Sequence, residues 1–426
     1  MDMPQFVESA RYPVRPENTI RAYVDGVAAF SRIARAIDAA ERCVLVTIAW
    51  FHLDFVWPDG RRFFDVLDEA GSRGVDVRAL FWRPDPALLV EASTCFSGTD
   101  EQRDFLRERN PQISLRWDDA GDAVVHHQKS WVIDPGAPRA RAFVGGMNIN
   151  PAYLVEPGHA DGGMHDLFVE IAGPAVADVH DNFVDRWNHT PDRDPLSGSW
   201  GVHGAESLEA IPARDGPPGA NASIQVQRTM MRTAERTIRD QYLRAINSAR
   251  QFIYVENQFL EDLTVVEALH HALSRKVVVT VVVPADFASE RGRDAGGMQE
   301  LREQISRLQE HPNCTISGLS VAQGSPERTP IHIHSKLLIV DDLFVSVGSC
   351  NCRRESFTRH SELNVSVVEP GFAKSLRCEL LSEHIERDTA SMPGVEAMQL
   401  FGETARSNGA SKRGWRGIAF SLPSIE

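Results

Sequence analysis

The sequence predicts an α/β protein in which two similar halves follow one another along the chain. Amphipathic helical segments alternate with short apolar segments rich in Val and Ile, a pattern typical of a mainly parallel sheet covered by helices on both faces. The same order returns about 200 residues later. A polar motif, His-x-Lys-x4-Asp, also occurs once in each half. These observations together indicate a long internal repeat.

The repeat is visible element by element. In each half an amphipathic helix precedes a buried strand, and a second helix and strand follow. The register between the halves drifts by only a few residues, as loop insertions would produce. The predicted helices cover residues 30–40, 63–70, 237–249 and 265–273, and the predicted strands cover residues 43–51, 75–82, 251–259 and 277–283.

The chain has 426 residues, which is enough for two domains of ordinary size. We expect an N-terminal domain over residues 1–205 and a C-terminal domain over residues 206–426. A stretch rich in Pro, Gly, Ser and Asp predicts a linker at about residues 191–222. From about residue 391 onwards the sequence predicts a loosely structured tail.

Composition narrows the class of protein. The apolar fraction of 42% and the charged fraction of 24% are typical of soluble globular proteins. No apolar run approaches the roughly 20 residues that cross a bilayer, and no signal peptide is visible. We therefore expect a cytoplasmic protein, with a processed secreted form left open. None of the six cysteines belongs to a Cys-x-x-Cys pair, so we do not expect zinc, and Cys350 and Cys352 are expected to be packing residues in a reducing compartment.

The charge balance bears on the partners. Lys and Arg number 45 against 59 Asp and Glu, and the formal net charge is −14. Proteins that grip nucleic acid along its backbone usually present a basic face. The balance therefore disfavours nucleic acid as a partner, and it equally argues against tight electrostatic docking on an anionic membrane.

The repeated motif carries the chemistry. A single copy of His-x-Lys-x4-Asp is a weak signal, whereas two copies at matching positions, each followed by a Gly-rich turn with Asn, are a strong one. Alternation along a strand would place His and Lys, two apart, on one face. The two sets are His127, Lys129, Asp134 and Asn148, and His334, Lys336, Asp341 and Asn351.

These motifs resemble those of the phospholipase D superfamily. Residues 251–260 (QFIYVENQFL) are also similar to a stretch of the phospholipases D that act on phosphatidylcholine-like lipids, and the resemblance covers roughly residues 36–384. It implies two tandem α/β/α sandwich domains related by a pseudo-two-fold axis, with one active site at their interface. It further implies a minimal catalytic core that needs no metal ion or other cofactor.

The resemblance implies a role for each motif residue. His127 is expected to attack phosphorus and form a phosphohistidine, and His334 to protonate the leaving alcohol and then activate water or an alcohol. The reverse assignment stays open. Lys129, Lys336, Asn148 and Asn351 would hold the non-bridging oxygens and neutralise the charge that builds on them. An ordinary histidine pKa near 6.5 makes both protonation states accessible.

The repeat and the resemblance also identify supporting residues. Asp166 and Glu362 each precede a strand downstream of the Gly-rich turn, where the family places the acids that orient its histidines. Asp134 and Asp341 are expected to be structural. Glu256 and Gln258 are expected either to line the cleft and contact substrate or to hold the end of a strand.

The resulting hypothesis is a phospholipase D that cleaves the distal phosphodiester bond of glycerophospholipids, by hydrolysis or by transfer to an alcohol. The expected partner is a phospholipid, with transient contact to a membrane surface, and the expected state is a monomer. Arg353 and Glu355 depart from the family's second motif, which leaves the headgroup open. The alternatives are a phosphodiesterase or nuclease acting on nucleic acid or a soluble diester, and a cardiolipin-synthase-like phosphatidyltransferase, which the lack of membrane-spanning segments disfavours.

Overall fold

A computed structural model describes most of the chain. The described residues are 6–9, 11–84, 96–108, 113–118, 125–190, 193–194, 198–199, 207–287, 297–322, 328–411 and 414–424. The predicted domain boundary at residues 205–206 and part of the predicted linker lie outside them, so both stay predictions.

The first half contains four helices and ten strands among its described residues. The helices are α1 (Gly26–Asp38), α2 (Phe63–Ser72), α3 (Asp100–Glu108) and α4 (Val176–His189). The strands are β1 (Arg15–Val24), β2 (Cys43–Ile48), β3 (Asp76–Trp82), β4 (Ser114–Asp118), β5 (Ser130–Ile133), β6 (Arg141–Gly145), β7 (Met164–His165), β8 (Leu167–Ala172), β9 (Arg193–Asp194) and β10 (Gly198–Ser199).

The second half repeats this order and extends it. Its described helices are α5 (Thr237–Ser248), α6 (Leu263–Ser274), α7 (Gly297–Glu310), α8 (Arg354–Thr358), α9 (Pro370–Ile385) and α10 (Gly394–Gly409). Its described strands are β11 (Ala222–Met230), β12 (Glu235–Arg236), β13 (Phe252–Asn257), β14 (Leu260–Glu261), β15 (Val278–Val282), β16 (Cys314–Ala322), β17 (Arg328–Ile333), β18 (Lys336–Val340), β19 (Phe344–Gly348), β20 (Cys352–Arg353), β21 (Glu362–Val368) and β22 (Ala419–Ser421).

The two halves have the same sheet topology. The strand order is β4-β3-β2-β5-β6-β8-β1 in the first half and β16-β15-β13-β18-β19-β21-β11 in the second. The expectation of a mainly parallel sheet is wrong, because only the first three strands of each order run parallel. The motif strands β5 and β18 are followed by β6 and β19 after short connections, residues 134–140 and 341–343, and connections of this length can only join antiparallel neighbours.

Strand β1 belongs to both sheets. Its first residues pair with β11, where Arg15 lies opposite Ile224, and its later residues pair with β8, where Thr19 lies opposite Ala172. A second connection runs between β17 and β7, in which Ile333 lies opposite His165. The halves are therefore joined through backbone hydrogen bonds.

Apolar side chains pack in three layers. A central core lies between the sheets and takes residues from both halves, including Val132 and Leu337, together with α4, α9 and α10. An outer core in each half covers the other face of its sheet, against α1 and α2 or against α5, α6 and α7. Each half is thus an α/β/α sandwich, as predicted.

The C-terminal part corrects the predicted loose tail. Helix α10 buries four apolar side chains at helical spacing, and β22 pairs antiparallel with β16. Residues 407–409, the start of the polar stretch that predicts a tail, form the last turn of this helix. The buried apolar side chains of the helix are Ala397, Met398, Phe401 and Ala405.

The remaining elements lie close to their predicted positions. The ends of the predicted helices and strands differ from the observed ends by a few residues, as is usual for boundaries. One difference affects the site: His127 and Lys129 precede β5, and His334 precedes β18, so each motif histidine lies in a loop rather than on a strand face. In the described parts of the chain, no helix combines the length and the apolar character needed to cross a bilayer.

Candidate active site

The two motif loops lie where the halves meet. Each is fixed by backbone hydrogen bonds to the opposite half: His127 N donates to Ser361 O at 2.9 Å, and His334 N donates to His165 O at 2.9 Å. Ser335 N donates to the same His165 oxygen at 3.0 Å. The loops are therefore positioned by segments that come from the other half of the chain.

Each histidine faces an acid from the opposite half. His127 Nδ1 lies 3.0 Å from Glu362 Oε2, across 235 positions of sequence. His334 Nδ1 lies 2.7 Å from Asp166 Oδ2, across 168 positions. A carboxylate at Nδ1 fixes the orientation of the ring and leaves Nε2 for chemistry. The structure thus brings together the four predicted residues in two crossed pairs.

The first pair holds a neutral imidazole against an ionised acid. Ser349 contributes twice: its hydroxyl donates to Glu362 Oε2 at 2.5 Å, and its carbonyl oxygen lies 3.1 Å from His127 Nδ1. Burial opposes ionisation of Glu362, but the adjacent His127 holds the pKa of this carboxyl below its usual range. Burial lowers the pKa of His127 to about 4, despite the Glu362 charge. His127 is therefore unprotonated at neutral pH, as a nucleophile must be.

In the second pair, burial shifts the acid towards its protonated form. Burial raises the pKa of Asp166 to about 7, although its Oδ1 accepts a hydrogen bond from Leu167 N at 2.7 Å. Burial and the nearby Lys336 and Lys129 lower the pKa of His334 well below its ordinary value. Because Lys129 and His127 both contribute to this shift, the two motifs influence each other electrostatically.

Both lysines are buried beside the histidines. Lys129 Nζ donates to His127 O at 2.7 Å, and Lys336 Nζ donates to His334 O and lies 3.4 Å from Gln258 Oε1. Burial lowers the pKa of Lys336 to about 8 and that of Lys129 well below its usual value. An anion bound between the two lysines would raise both pKa values, because a nearby opposite charge favours the protonated form.

The two predicted amides are also buried at the ends of the Gly-rich turns. Asn148 Oδ1 accepts a hydrogen bond from Trp50 N at 3.1 Å, which fixes the orientation of its amide group. Asn351 Oδ1 is buried without a hydrogen-bond partner among the described residues. Both side chains therefore lie in the motif region, and their contact with substrate stays a prediction.

Glu256 and Gln258 differ in their placement. Glu256 is fully buried, and its carboxylate accepts hydrogen bonds from Tyr254 Oη at 2.6 Å and from Ser335 Oγ at 2.8 Å. It thus supports the His334 loop from behind. Gln258 is partly buried and reaches Lys336, so of the two it lies nearer the lysine that the motif supplies.

The last residue of each motif has a structural contact pattern. Asp134 accepts backbone hydrogen bonds from Glu41, Arg42 and Cys43 at 2.8–3.0 Å. Asp341 accepts three equivalent hydrogen bonds at 2.8–2.9 Å, from the backbone N–H groups of residues 250–252. Each carboxylate caps the turn that leads into β2 or β13, and the structural role expected for both is confirmed.

Sequence reasoning missed three neighbours of the histidines. Ser349 contacts the first pair as described above, and its place inside the Gly-rich turn was an available signal. The Tyr153 ring packs edge-on against His334, with 5.3 Å between centroids. His165 precedes Asp166 and holds the His334 loop through its carbonyl oxygen. The last two carry no motif of their own, so only the fold shows them.

The site can bind an anionic phosphodiester and attack it. Two cationic side chains, two amides and two imidazoles converge from both halves of a single chain, so a second copy is not needed to complete it. Burial lowers the pKa of both imidazoles, and the two pairs differ in their acids: the pKa of Glu362 beside His127 is held low, whereas that of Asp166 beside His334 is raised to about 7.

Comparisons with known proteins point to the same class. Residues 242–383 match a family model described as cardiolipin synthase, PLD-like domain. Cardiolipin synthase A of Pseudomonas aeruginosa is 26% identical over 390 residues, which cover 89% of this chain and 70% of that protein. Cardiolipin synthase 2 of Staphylococcus epidermidis is 24% identical over 370 residues, which cover 86% of this chain and 68% of that protein.

A solved structure confirms the fold. Phosphatidylserine synthase from Haemophilus influenzae superposes with a TM-score of 0.59 over 95% of each chain, at 14% sequence identity. At this identity the likeness concerns the fold alone. Activity and family rest instead on the family-model match and the cardiolipin synthase relatives: the protein is an enzyme that acts on phosphodiester bonds, and the chain belongs to the phospholipase D superfamily.

Proposed function

We propose that the protein is a phosphatidyltransferase of the cardiolipin-synthase type, which moves a phosphatidyl group from one phospholipid to an alcohol acceptor. The crossed His127–Glu362 and His334–Asp166 pairs carry the two-step chemistry. The choice of substrate class follows from the relatives, which are named cardiolipin synthases and match over 86–89% of the chain. This choice reverses the order expected from sequence, in which phospholipase D hydrolysis came first.

In the first step, Nε2 of neutral His127 attacks phosphorus, and the bond to the headgroup oxygen breaks. His334 donates its proton to that oxygen, and a phosphatidyl-histidine remains. Lys129, Lys336 and the two amides offset the charge on the non-bridging oxygens. Binding of the anionic diester raises the pKa of His334, because its negative charge compensates the positive potential of the two lysines, which lowers that pKa.

In the second step, His334 is now unprotonated and accepts the proton of an acceptor hydroxyl. The hydroxyl oxygen attacks phosphorus and the bond to His127 breaks, which restores both histidines. A phospholipid with a free headgroup hydroxyl as acceptor gives a product with two phosphatidyl groups, whereas water gives phosphatidate. Transfer and hydrolysis therefore share one intermediate and differ only in the acceptor.

The products of the reaction distinguish transfer from hydrolysis. Purified protein is incubated with vesicles of phosphatidylglycerol, and the products are separated by mass spectrometry. We expect cardiolipin and free glycerol from wild type, and neither from His127→Ala. Phosphatidate alone would assign the protein to the hydrolases. No conversion of phosphatidylglycerol or phosphatidylcholine would refute a phospholipid substrate, and single-stranded DNA is expected to stay intact.

A further inference from the structure

A second cluster of polar side chains is buried next to the candidate active site. It contains two histidines and two carboxylates that come from four separate segments: the start of α1, the loop before β7, β7 itself and helix α9. Each side chain offers one ligand atom, and these atoms all lie within 4.8 Å of one another. The residues are Asp25, His159, His165 and Glu383.

The separations within the cluster suit a small cation. His159 Nε2 lies 3.3 Å from His165 Nδ1 and 3.1 Å from Asp25 Oδ2, and His165 Nδ1 lies 3.0 Å from Asp25 Oδ1. Glu383 Oε1 lies 3.6 Å from His159 Nε2. Ligands bonded at 2.0–2.1 Å in a tetrahedron are separated by about 3.3 Å. These four separations, 3.0–3.6 Å, are close to that value, and all ligand atoms lie within 4.8 Å of one another.

Surrounding groups orient the ligand atoms inward. His159 Nδ1 lies 3.1 Å from the Gly162 carbonyl oxygen, to which it can only donate, so Nε2 presents a lone pair to the cluster. Glu383 Oε1 accepts a hydrogen bond from Gly158 N at 2.7 Å. His165 Nε2 faces Glu256 Oε2 at 3.2 Å on the side away from Asp25. Metal-bound histidines typically have such a partner at the other ring nitrogen.

One carboxylate oxygen of the cluster lacks a hydrogen bond. Asp25 is fully buried, and its Oδ2 has no hydrogen-bond partner in the described structure, although His159 Nε2 is 3.1 Å away. With the His159 proton on Nδ1, that contact would place two lone pairs against each other. The backbone of Asp25 has φ 61° and ψ 159°, a conformation that residues other than Gly rarely adopt. A strained backbone and an unsatisfied carboxylate oxygen thus meet at one point.

We propose that this cluster binds one divalent transition-metal ion of the zinc type, with Asp25, His159, His165 and Glu383 as ligands. Zinc accepts imidazole nitrogens and carboxylate oxygens together, in tetrahedral sites of this size. The ion neutralises the buried carboxylates and satisfies Asp25 Oδ2. Because three ligands come from the first half and Glu383 from the second, the ion also fixes helix α9 against the first half.

The cluster is connected to the catalytic region through the backbone. Asp25 N donates to Asp166 O at 2.8 Å, and His165 O accepts from both His334 N and Ser335 N. The metal-bound segment therefore holds the second histidine–acid pair from behind. In this role the ion is structural, and it takes no part in the steps at phosphorus.

The test measures metal content and stability, so its outcome does not depend on any lipid activity. Full-length protein is stripped with a chelator, reloaded with zinc and dialysed, and its metal content and thermal midpoint are measured. We expect one zinc ion per chain and a higher midpoint after reloading. Cobalt in place of zinc should give the visible absorption of a tetrahedral site.

Two variants and a control localise the ion. His159→Asn retains a residue type that tolerates the left-handed backbone at this position, where φ is 48°. Glu383→Gln retains the shape of the side chain. Each should weaken zinc binding about 100-fold or more, because even indirect ligand partners are worth 10–100-fold. Glu403→Gln, at an exposed position of α10, should bind zinc like wild type.

Two results would overturn the proposal. One is wild-type protein that retains no zinc and unfolds at the same temperature with or without it, since the cluster would then be held by protons alone, with His165 as an imidazolium. The other is undiminished zinc binding by both variants, which would place the ion elsewhere. The wild-type measurements show whether the protein retains zinc and is stabilised by it, even if a variant does not fold.

Discussion

The imidazole of His334 lies 2.7 Å from the carboxylate of Asp166, a residue of the opposite half, and His127 and Glu362 mirror this relationship at 3.0 Å. Neither half therefore contains a complete histidine–acid unit. The orientation of each imidazole depends on how the two sheets are joined, which makes the interface itself part of the site.

The proposed nucleophile can be identified by trapping. In His334→Ala, an aryl phosphodiester whose leaving group needs no proton should still react with His127, but the intermediate should persist because the base for the second step is absent. Peptide mass spectrometry at neutral pH should locate the phosphoryl group on His127. A group found instead on His334 of a His127→Ala variant, with none on His127 in His334→Ala, would reverse the assignment.

Loss of the orienting acids should reduce turnover less than loss of the histidines. We expect His127→Ala and His334→Ala to lower kcat by several orders of magnitude. Asp166→Asn and Glu362→Gln should lower it by about 10²–10⁴-fold, because the rings remain but lose the partner that orients them. Steady-state kinetics measure both, with the exposed Asp240→Asn on α5 as control. Acid variants with wild-type kcat would remove these residues from the proposed machinery.

The charge of Lys336 should set an alkaline limit on activity. Burial lowers its pKa to about 8, so in the free enzyme its ammonium is lost above that pH. We expect kcat/KM to fall by about tenfold per pH unit above pH 8, since kcat/KM reports ionisations of the free enzyme. Arginine stays charged throughout this range, so Lys336→Arg should be slower but should not show this decrease in kcat/KM above pH 8. If the decrease persists in Lys336→Arg, it arises from another group.

Helix α10 should contribute to stability as part of the core. Phe401 is fully buried, and its ring packs edge-on against Tyr254 with 6.2 Å between centroids. We expect Phe401→Ala to lower the free energy of unfolding by about 3–5 kcal/mol, and Glu403→Ala on the exposed face to change it little. Urea unfolding with an unchanged m-value measures the difference. Equal stability of the two variants would show that α10 does not contribute to the core.

Buried His180 on α4 should make stability depend on pH. Burial lowers its pKa to about 4, against an ordinary value of 6.5. Between these values the unfolded chain binds more protons than the native state, so this contribution is present above pH 6.5 and is lost as the pH falls towards 4. His180→Gln should reduce that loss by on the order of 2 kcal/mol, whereas His271→Gln, at an exposed position, should leave it unchanged. Thermal unfolding across this pH range measures both.

The sequence was sufficient for the repeat and for the residues that carry motifs. Local signals were strong there, because apolar periodicity and the twin motif each occur twice. It was not sufficient to predict whether neighbouring strands run parallel or antiparallel, because the apolar pattern of the strands after each motif is compatible with both directions. It also could not show that the acids cross between halves, because pairing within a half and pairing between halves require the same residues.

The buried metal cluster illustrates the same limit. Its four side chains are spread from position 25 to position 383 and have no ligand spacing that a sequence could reveal. Only the packing of α9 against the first half brings Glu383 to the histidines. The sequence has no Cys-x-x-Cys pair and therefore predicts no zinc, whereas the proposed site uses histidine and carboxylate ligands and lies outside the catalytic steps.

Strand β1, shared by both sheets, has a consequence for biosynthesis. It is synthesised before both of its partners, because β8 follows only at Leu167–Ala172 and β11 only at Ala222–Met230. Contacts so distant in sequence close slowly, and an unpaired strand edge is prone to association with other chains. Nascent chains must therefore keep this segment shielded, for instance by a chaperone, until β11 has been translated.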